Sequence, residues 1–222
     1  MYSYKEEQPV VTYLLIAANL VVFGLTYLVG RVWMIVLWGL TPVNILEPGG
    51  TGGALYGFTT LFTSMFIHDG IFHIFFNMWA LLILGRDVEV ALGRGRFLLL
   101  YFLSGLVGGL AYVSTALFQP RNLMIPAVGA SGAVFGVMGA FGVLFPRRPL
   151  AMFFYLIPIF APAFVAIAIL ATIQTVLALA LPFSSIAYSA HVGGLAVGVL
   201  SALVWRRLVL RRYYSSLGLE DF

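Results

Sequence analysis

The chain has 222 residues, of which 62% are hydrophobic and only 9% charged. A soluble domain of that length needs far more charge to cover its surface, so a soluble globular protein is excluded. The formal net charge of +4 is better read as membrane topology than as a nucleic-acid surface, and the absence of cysteine excludes disulfide and thiol chemistry.

The N-terminal "MYSYKEEQPV" sets Lys5 against Glu6 and Glu7, a poor start for a cleaved signal peptide, so the first apolar run is expected to be retained. A bilayer core about 30 Å thick takes about 20 apolar residues per helix. On that measure six spans are predicted, at roughly 10–30, 71–86, 97–118, 131–145, 150–180 and 189–205. They form one compact bundle over residues 1–222, with no room for a second domain. Ten of the twelve basic residues then fall on one side, namely Lys5 and Arg86, Arg94, Arg96, Arg147, Arg148, Arg206, Arg207, Arg211 and Arg212. Only Arg31 and Arg121 fall on the other, so both termini are expected in the cytoplasm. Between the first two spans, "WGLTPVNILEPGGTGGALYGFTTLFTSMFI" mixes apolar and aromatic residues with glycine and proline breaks. This pattern predicts a loop lying in the outer interface.

The fourth run starts late and with a serine, in "PAVGASGAVFGVMGAFGVLFPRR". Its fifteen residues from Ser131 to Phe145 are too few to cross a bilayer. The cytoplasmic arginines give a depth scale. Ser131 lies sixteen residues before Arg147, His191 fifteen before Arg206, His73 thirteen and Asn77 nine before Arg86. At about 1.5 Å per residue these are roughly 24, 22, 20 and 14 Å. Ser131, His191 and His73 therefore reach a similar level, some 6–10 Å below the outer surface, on three parallel helices. A helix beginning at that depth leaves unpaired backbone N–H groups, which a water-holding cavity would satisfy.

Singly, each residue has a plain structural use. Ser131 can bond its own backbone or pack in a small-residue seam. His191 can be structural beside Gly194 and Gly198, and His73 and Asn77 share one helix face by their spacing of four. Their joint depth points instead to nucleophilic acyl transfer, with a neutral imidazole taking the serine proton and donors near Ser131 holding the oxyanion. Asp69 and Glu47 sit in outer-loop positions, and Asp87 and Glu89 at the inner end. No carboxylate is therefore placed to orient His191, and a Ser–His dyad is expected. His68 reads as an interfacial loop residue.

Four motifs in chain order carry a resemblance: "HIFFN" at 73–77, "VEVALG" at 88–93, "GASG" at 129–132 and "AHVGGLAVG" at 190–198. The chain resembles the rhomboid intramembrane serine proteases, from the second to the sixth span. The resemblance implies an all-α, six-helix membrane fold with a long membrane-associated first outer loop. It makes Ser131 the nucleophile, His191 the base, and His73 and Asn77 the oxyanion helpers. Gly129 and Gly132 flank the nucleophile. Phe135 takes the aromatic position against the catalytic histidine, and Gly194 and Gly198 allow close helix approach. Glu89 is structural near the cytoplasmic end. The fifth span, with Pro158 and Pro162, and the loop 181–188 correspond to a mobile gate and cap. Many relatives carry a Trp–Arg pair in the first loop where this chain has Thr59 and Thr60, so the loop must be held differently. Some relatives also carry glycine where this chain has Ile186.

A peptide bond in a transmembrane helix is shielded, so substrates are expected to be membrane-anchored proteins with helix-weakening residues near the outer end of their span. Membrane lipids are the other expected partner; nucleic acid is not expected, and the oligomeric state is left open. No metal or organic cofactor is implied. The expected location is a membrane, in the compact form suited to a prokaryotic plasma membrane, with the active site open to the outer side. Two other readings share these residues: a non-catalytic binder or chaperone of membrane helices, and a small transporter lined by Ser131, His191 and Asn77.

Overall fold

The computed structural model describes residues 8–47, 53–118, 120–154, 157–181 and 187–216. Among them five helices are long and apolar enough to cross a membrane: Val10–Val29, Ile71–Leu92, Arg94–Ala116, Ala163–Ala180 and Tyr188–Val209. A sixth apolar helix, Ser131–Leu144, is shorter. In chain order these are α1 (Val10–Val29); α5 (Ile71–Ala80), which passes through a π-helical turn into α6 (Arg86–Leu92); α7 (Arg94–Ala116); α8 (Ser131–Leu144); α9 (Ala163–Ala180); and α10 (Tyr188–Ser216). Together they make an integral membrane helical bundle.

The short helix is the centre of it. Nine of the fourteen α8 residues are buried, four of them glycine or alanine within Gly132–Gly139, because α7 and α10 press against it on both sides. A Cβ at Gly194 would run into the Gly132 carbonyl oxygen, and one at Gly198 into that of Gly136. The α8 and α10 backbones therefore touch directly, which only small residues allow where no hydrophobic effect drives helices together. Larger side chains fill the remainder of the core: Phe97, Leu100, Tyr101, Leu81, Val137 and Phe141. Leucine, valine and phenylalanine side chains on the outer faces of α1, α5 and α9 are exposed, as lipid contact requires.

The first helix is fastened by a carboxylate from another element. Glu89, 2% exposed, accepts hydrogen bonds from the Val11 and Thr12 amides at 2.9 and 2.7 Å and from the Thr12 hydroxyl at 2.7 Å. Those amides belong to the first turn of α1 and have no acceptor within it. A carboxylate there also meets the positive end of the helix dipole. Glu89→Ala should lower the unfolding free energy by about 2–4 kcal/mol, with Glu89→Gln intermediate, since the loss leaves several donors unpaired. The thermal transition in detergent checks this.

Between α1 and α5 the chain forms α2 (Arg31–Trp38), α3 (Pro42–Leu46) and α4 (Gly53–Thr63), followed by a 3₁₀ turn (Ser64–Phe66). The loop is held without a Trp–Arg pair. The Thr59 and Thr60 hydroxyls donate to the Tyr56 and Gly57 carbonyls within α4. The Tyr56 hydroxyl reaches the Leu37 carbonyl, Thr63 reaches that of Trp38, and Arg31 pairs with Asp69 at 3.1 Å. Phe62 stacks on Phe102 of α7 at 5.0 Å. The loop also grips the chain just before α8: Leu40 and Ala127 exchange both backbone hydrogen bonds at 2.9 Å.

The fifth span is shorter than the sequence reading of 150–180. Residues Pro149–Phe154 (β1) and Ile157–Pro162 (β2) form an antiparallel hairpin, pairing Pro149 with Pro162 and Phe154 with Ile157. Helix begins only at Ala163. Three prolines at 149, 158 and 162 cannot donate to a helical ladder, whereas strand ends and edges tolerate them. Pro158 and Pro162 thus precede the fifth helix and do not kink it. The first α9 amides are taken up from outside: Ala163 donates to the Arg148 carbonyl and Phe164 to that of Pro146. Arg148 also pairs with Asp87 at 2.7 Å, tying this corner to α6. In the expected cap loop 181–188, residues 182–186, Ile186 included, lie outside the described residues.

Candidate active site

Ser131 is the first residue of α8. The turn before it depends on Gly129, whose φ of +117° suits glycine and whose Cα faces the His73 ring so closely that a Cβ would collide with it. The Gly129 amide donates to the Ser64 carbonyl at 2.9 Å, so the loop fixes the turn from one side. His68 supports it from another. Its Nε2 accepts from the Ala130 amide at 3.4 Å while its Nδ1 lies 3.3 Å from the Phe66 carbonyl. This corrects the reading of His68 as an interfacial residue, since the side chain is fully buried. Burial, reinforced by the neighbouring His73, pushes His68 down to about 4, which keeps the ring neutral and able to accept from Ala130.

His191 enters from α10. Its Nε2 lies 2.8 Å from the Ser131 hydroxyl oxygen. The ring is stacked on Phe135, with centroids 4.3 Å apart and planes within 4°. Phe135 lies one turn after Ser131 on α8, so the serine and the stacking platform come from one helix. Tyr188 meets the imidazole edge-on at 6.2 Å. The small-residue contact of Gly194 with Gly132 sets how near α10 comes to α8, and therefore the Ser131–His191 spacing.

His73 and Asn77 stand one turn apart on α5. His73 turns its Nε2 toward Gly129, beside the start of α8, and packs edge-on against His68 at 5.0 Å. Asn77 is buried, and one of its amide hydrogens goes to the His73 carbonyl at 2.9 Å. A carboxamide has two such hydrogens, so the second remains for another acceptor. The first-turn amides of α8, beginning with that of Ser131, have no acceptor within the helix. His73 thus stands beside the turn that leads into Ser131, with Asn77 one helical turn further along α5. Glu89 stands apart from this group, under α1.

Sequence reasoning missed two participants. One is His68, whose loop position concealed its burial. The other is Gln174 of α9, whose Oε1 lies 2.7 Å from His191 Nδ1. A carboxamide inside an otherwise apolar run was the available signal.

A family model described as "Rhomboid domain" matches residues 56–208. Over 201 residues the chain is 31% identical to "Rhomboid protein 1, mitochondrial" of Saccharomyces cerevisiae, covering 90% of this chain and 54% of that one. It is 34% identical over 140 residues to "Rhomboid protease GluP" of Bacillus subtilis, covering 62% and 25%. It is also 38% identical over 80 residues to "Inactive RHOMBOID-like protein 8" of Arabidopsis thaliana, covering 36% and 21%. The chain thus spans about half the length of the yeast relative and about a quarter or less of the other two. Mitochondrial, bacterial and plant proteins all stand among these relatives, which gives the expected prokaryotic membrane no particular support. The matched segment takes in all four motifs and every helix from α5 to the membrane-spanning part of α10, and the chain belongs to the rhomboid family.

Proposed function

We propose that the chain is an intramembrane serine protease that hydrolyses peptide bonds in or near the transmembrane segments of membrane-anchored proteins. The observation that carries this reading is the 2.8 Å approach of His191 Nε2 to the Ser131 hydroxyl, from two different helices, with the imidazole stacked on Phe135. An inactive relative exists, so family membership alone does not imply turnover. The paired hydroxyl and imidazole favour activity here over the non-catalytic binding of membrane helices.

In the proposed mechanism His191 Nε2 takes the Ser131 proton as the serine oxygen attacks the scissile carbonyl carbon. The carbonyl oxygen becomes an oxyanion. The Ser131 amide, the second Asn77 amide hydrogen and the His73 ring receive it. On collapse, the carbon–nitrogen bond breaks and the His191 imidazolium returns its proton to the leaving nitrogen. Water, deprotonated by the same histidine, then cleaves the acyl ester and regenerates Ser131. The site lies at the bundle end that carries α2–α4, so substrates are opened near the matching end of their own span. The distribution of arginines supports the reading that this end faces outside, with both termini in the cytoplasm.

The test is cleavage of a labelled transmembrane substrate in liposomes. Turnover retained by a folded Ser131→Ala chain would refute the mechanism. Asn77→Ala and His73→Ala should each cut kcat by about 10²–10³, the usual cost of one lost oxyanion donor. Unchanged kcat in both would remove the oxyanion assignment and leave the nucleophile standing.

A further inference from the structure

The His191 imidazole is held at both ends, and the second hold comes from α9. Gln174 Oε1 lies 2.7 Å from Nδ1, across the ring from the nitrogen that meets Ser131. Its surroundings make this contact informative. Thr172 and Thr175, its polar neighbours on α9, return their hydroxyls to the Ala168 and Ala171 carbonyls, and so satisfy themselves within the helix. A carboxamide in an apolar span is costly without a partner. The partner of Gln174 is the imidazole.

The chemistry of the ring fixes the polarity of that bond. A neutral imidazole carries one N–H and one lone pair. For Nε2 to accept the Ser131 proton it must bear the lone pair, so the N–H is on Nδ1. An N–H on Nδ1 donates to the Gln174 oxygen. With the Gln174 oxygen turned to Nδ1, as it stands here, the opposite tautomer would set a nitrogen lone pair against that oxygen and point an N–H at Ser131, which disables the base. Once Nε2 is protonated, Nδ1–H still donates to the same oxygen, so the contact persists through proton transfer.

We propose that Gln174 is a positioning residue that holds His191 in the tautomer and ring orientation able to deprotonate Ser131, a task done here by an uncharged carboxamide. Phe135 restricts the ring to its plane, and Ser131 and Gln174 fix its rotation within that plane. This rests on the reading of Ser131 and His191 as nucleophile and base.

The experiment compares the unsubstituted 222-residue chain with Gln174→Met, which keeps side-chain length without the acceptor, and Gln174→Glu, which keeps a carboxyl oxygen at the same reach. The readouts are the rate at which a fluorophosphonate labels Ser131 in detergent, kcat and KM on a transmembrane substrate, and the thermal transition. Gln174→Met should slow labelling and kcat by about tenfold, with KM within about twofold and an unchanged transition; Gln174→Glu should restore labelling to within about threefold of wild type. Labelling of Gln174→Met at or above the wild-type rate overturns the proposal. So does an equal loss in Gln174→Met and Gln174→Glu, which would mark a packing role. A wild-type chain that neither takes the label at Ser131 nor cleaves substrate overturns the protease reading itself, and the proposal falls with it.

Discussion

Ser131→Ala and His191→Ala should each lower turnover of a transmembrane substrate by about 10⁴-fold or more, and the double variant should do no worse than either alone. In the proposed mechanism the two side chains act as one unit. Without the hydroxyl there is no acyl-enzyme, and without Nε2 the hydroxyl keeps its proton. Loss of either therefore removes the same step. Neither change should disturb folding much. Ser131 begins a helix whose entry is set by the Gly129 turn and the Leu40–Ala127 pairing, and neither depends on the serine side chain. The His191→Ala chain keeps the Gly194 and Gly198 contacts that dock α10. Additive losses in the double variant would mean that the two residues serve different steps.

Gly194→Ala should be nearly as damaging to activity by a different route. The added methyl group meets the Gly132 carbonyl oxygen, a backbone atom that cannot swing aside, so α10 must move off α8. The expected cost is about 3 kcal/mol in unfolding free energy, at the upper end for overpacking. Because Gly132 directly follows Ser131 and Gly194 lies three residues after His191, the same displacement widens the hydroxyl–imidazole gap. The transition should fall together with kcat, in contrast to Ser131→Ala, which should lower kcat alone. Thermal melts and cleavage assays on the same preparations separate the two. An unshifted transition in Gly194→Ala would mean that the helices have slack that this packing does not suggest.

The contrast between these variants reflects what a sequence can and cannot convey. Ser131 and His191 were legible because depth in a membrane helix is counted along the chain from its arginines, at a fixed rise per residue. The depths agreed before any fold was known. Gly194 and Gly198 follow from helical spacing and the need for close approach, and Phe135 from the family resemblance. His68 was not legible, because a loop offers no fixed rise and its burial depends on how α4 and the 3₁₀ turn fold over α8. Gln174 was missed for a related reason. Nothing in spacing along α9 says which of its faces meets α10, and an uncharged carboxamide does not stand out as an orienting group the way a carboxylate does. The residues of the hairpin are as apolar as a helix core, so hydropathy alone extends the fifth span back to 150. The prolines at 158 and 162 are the contrary sign, since they mark the helix boundary. The paired threonines at 59 and 60 show how a loop can be kept in shape by its own backbone when the Trp–Arg pair of many relatives is missing.

The Glu89 clasp bears on how the polypeptide is assembled. Helix α1 lies ahead of the segment that matches the family, and its leading turn is completed by an acceptor that the ribosome makes nearly eighty residues later. Until the second hydrophobic segment is inserted, those peptide groups have only water or lipid headgroups to bind, so the start of α1 must wait at the bilayer surface. The first hairpin of the nascent chain therefore closes from the end opposite the Ser131–His191 pair, so that assembly and the proposed chemistry use different ends of one bundle.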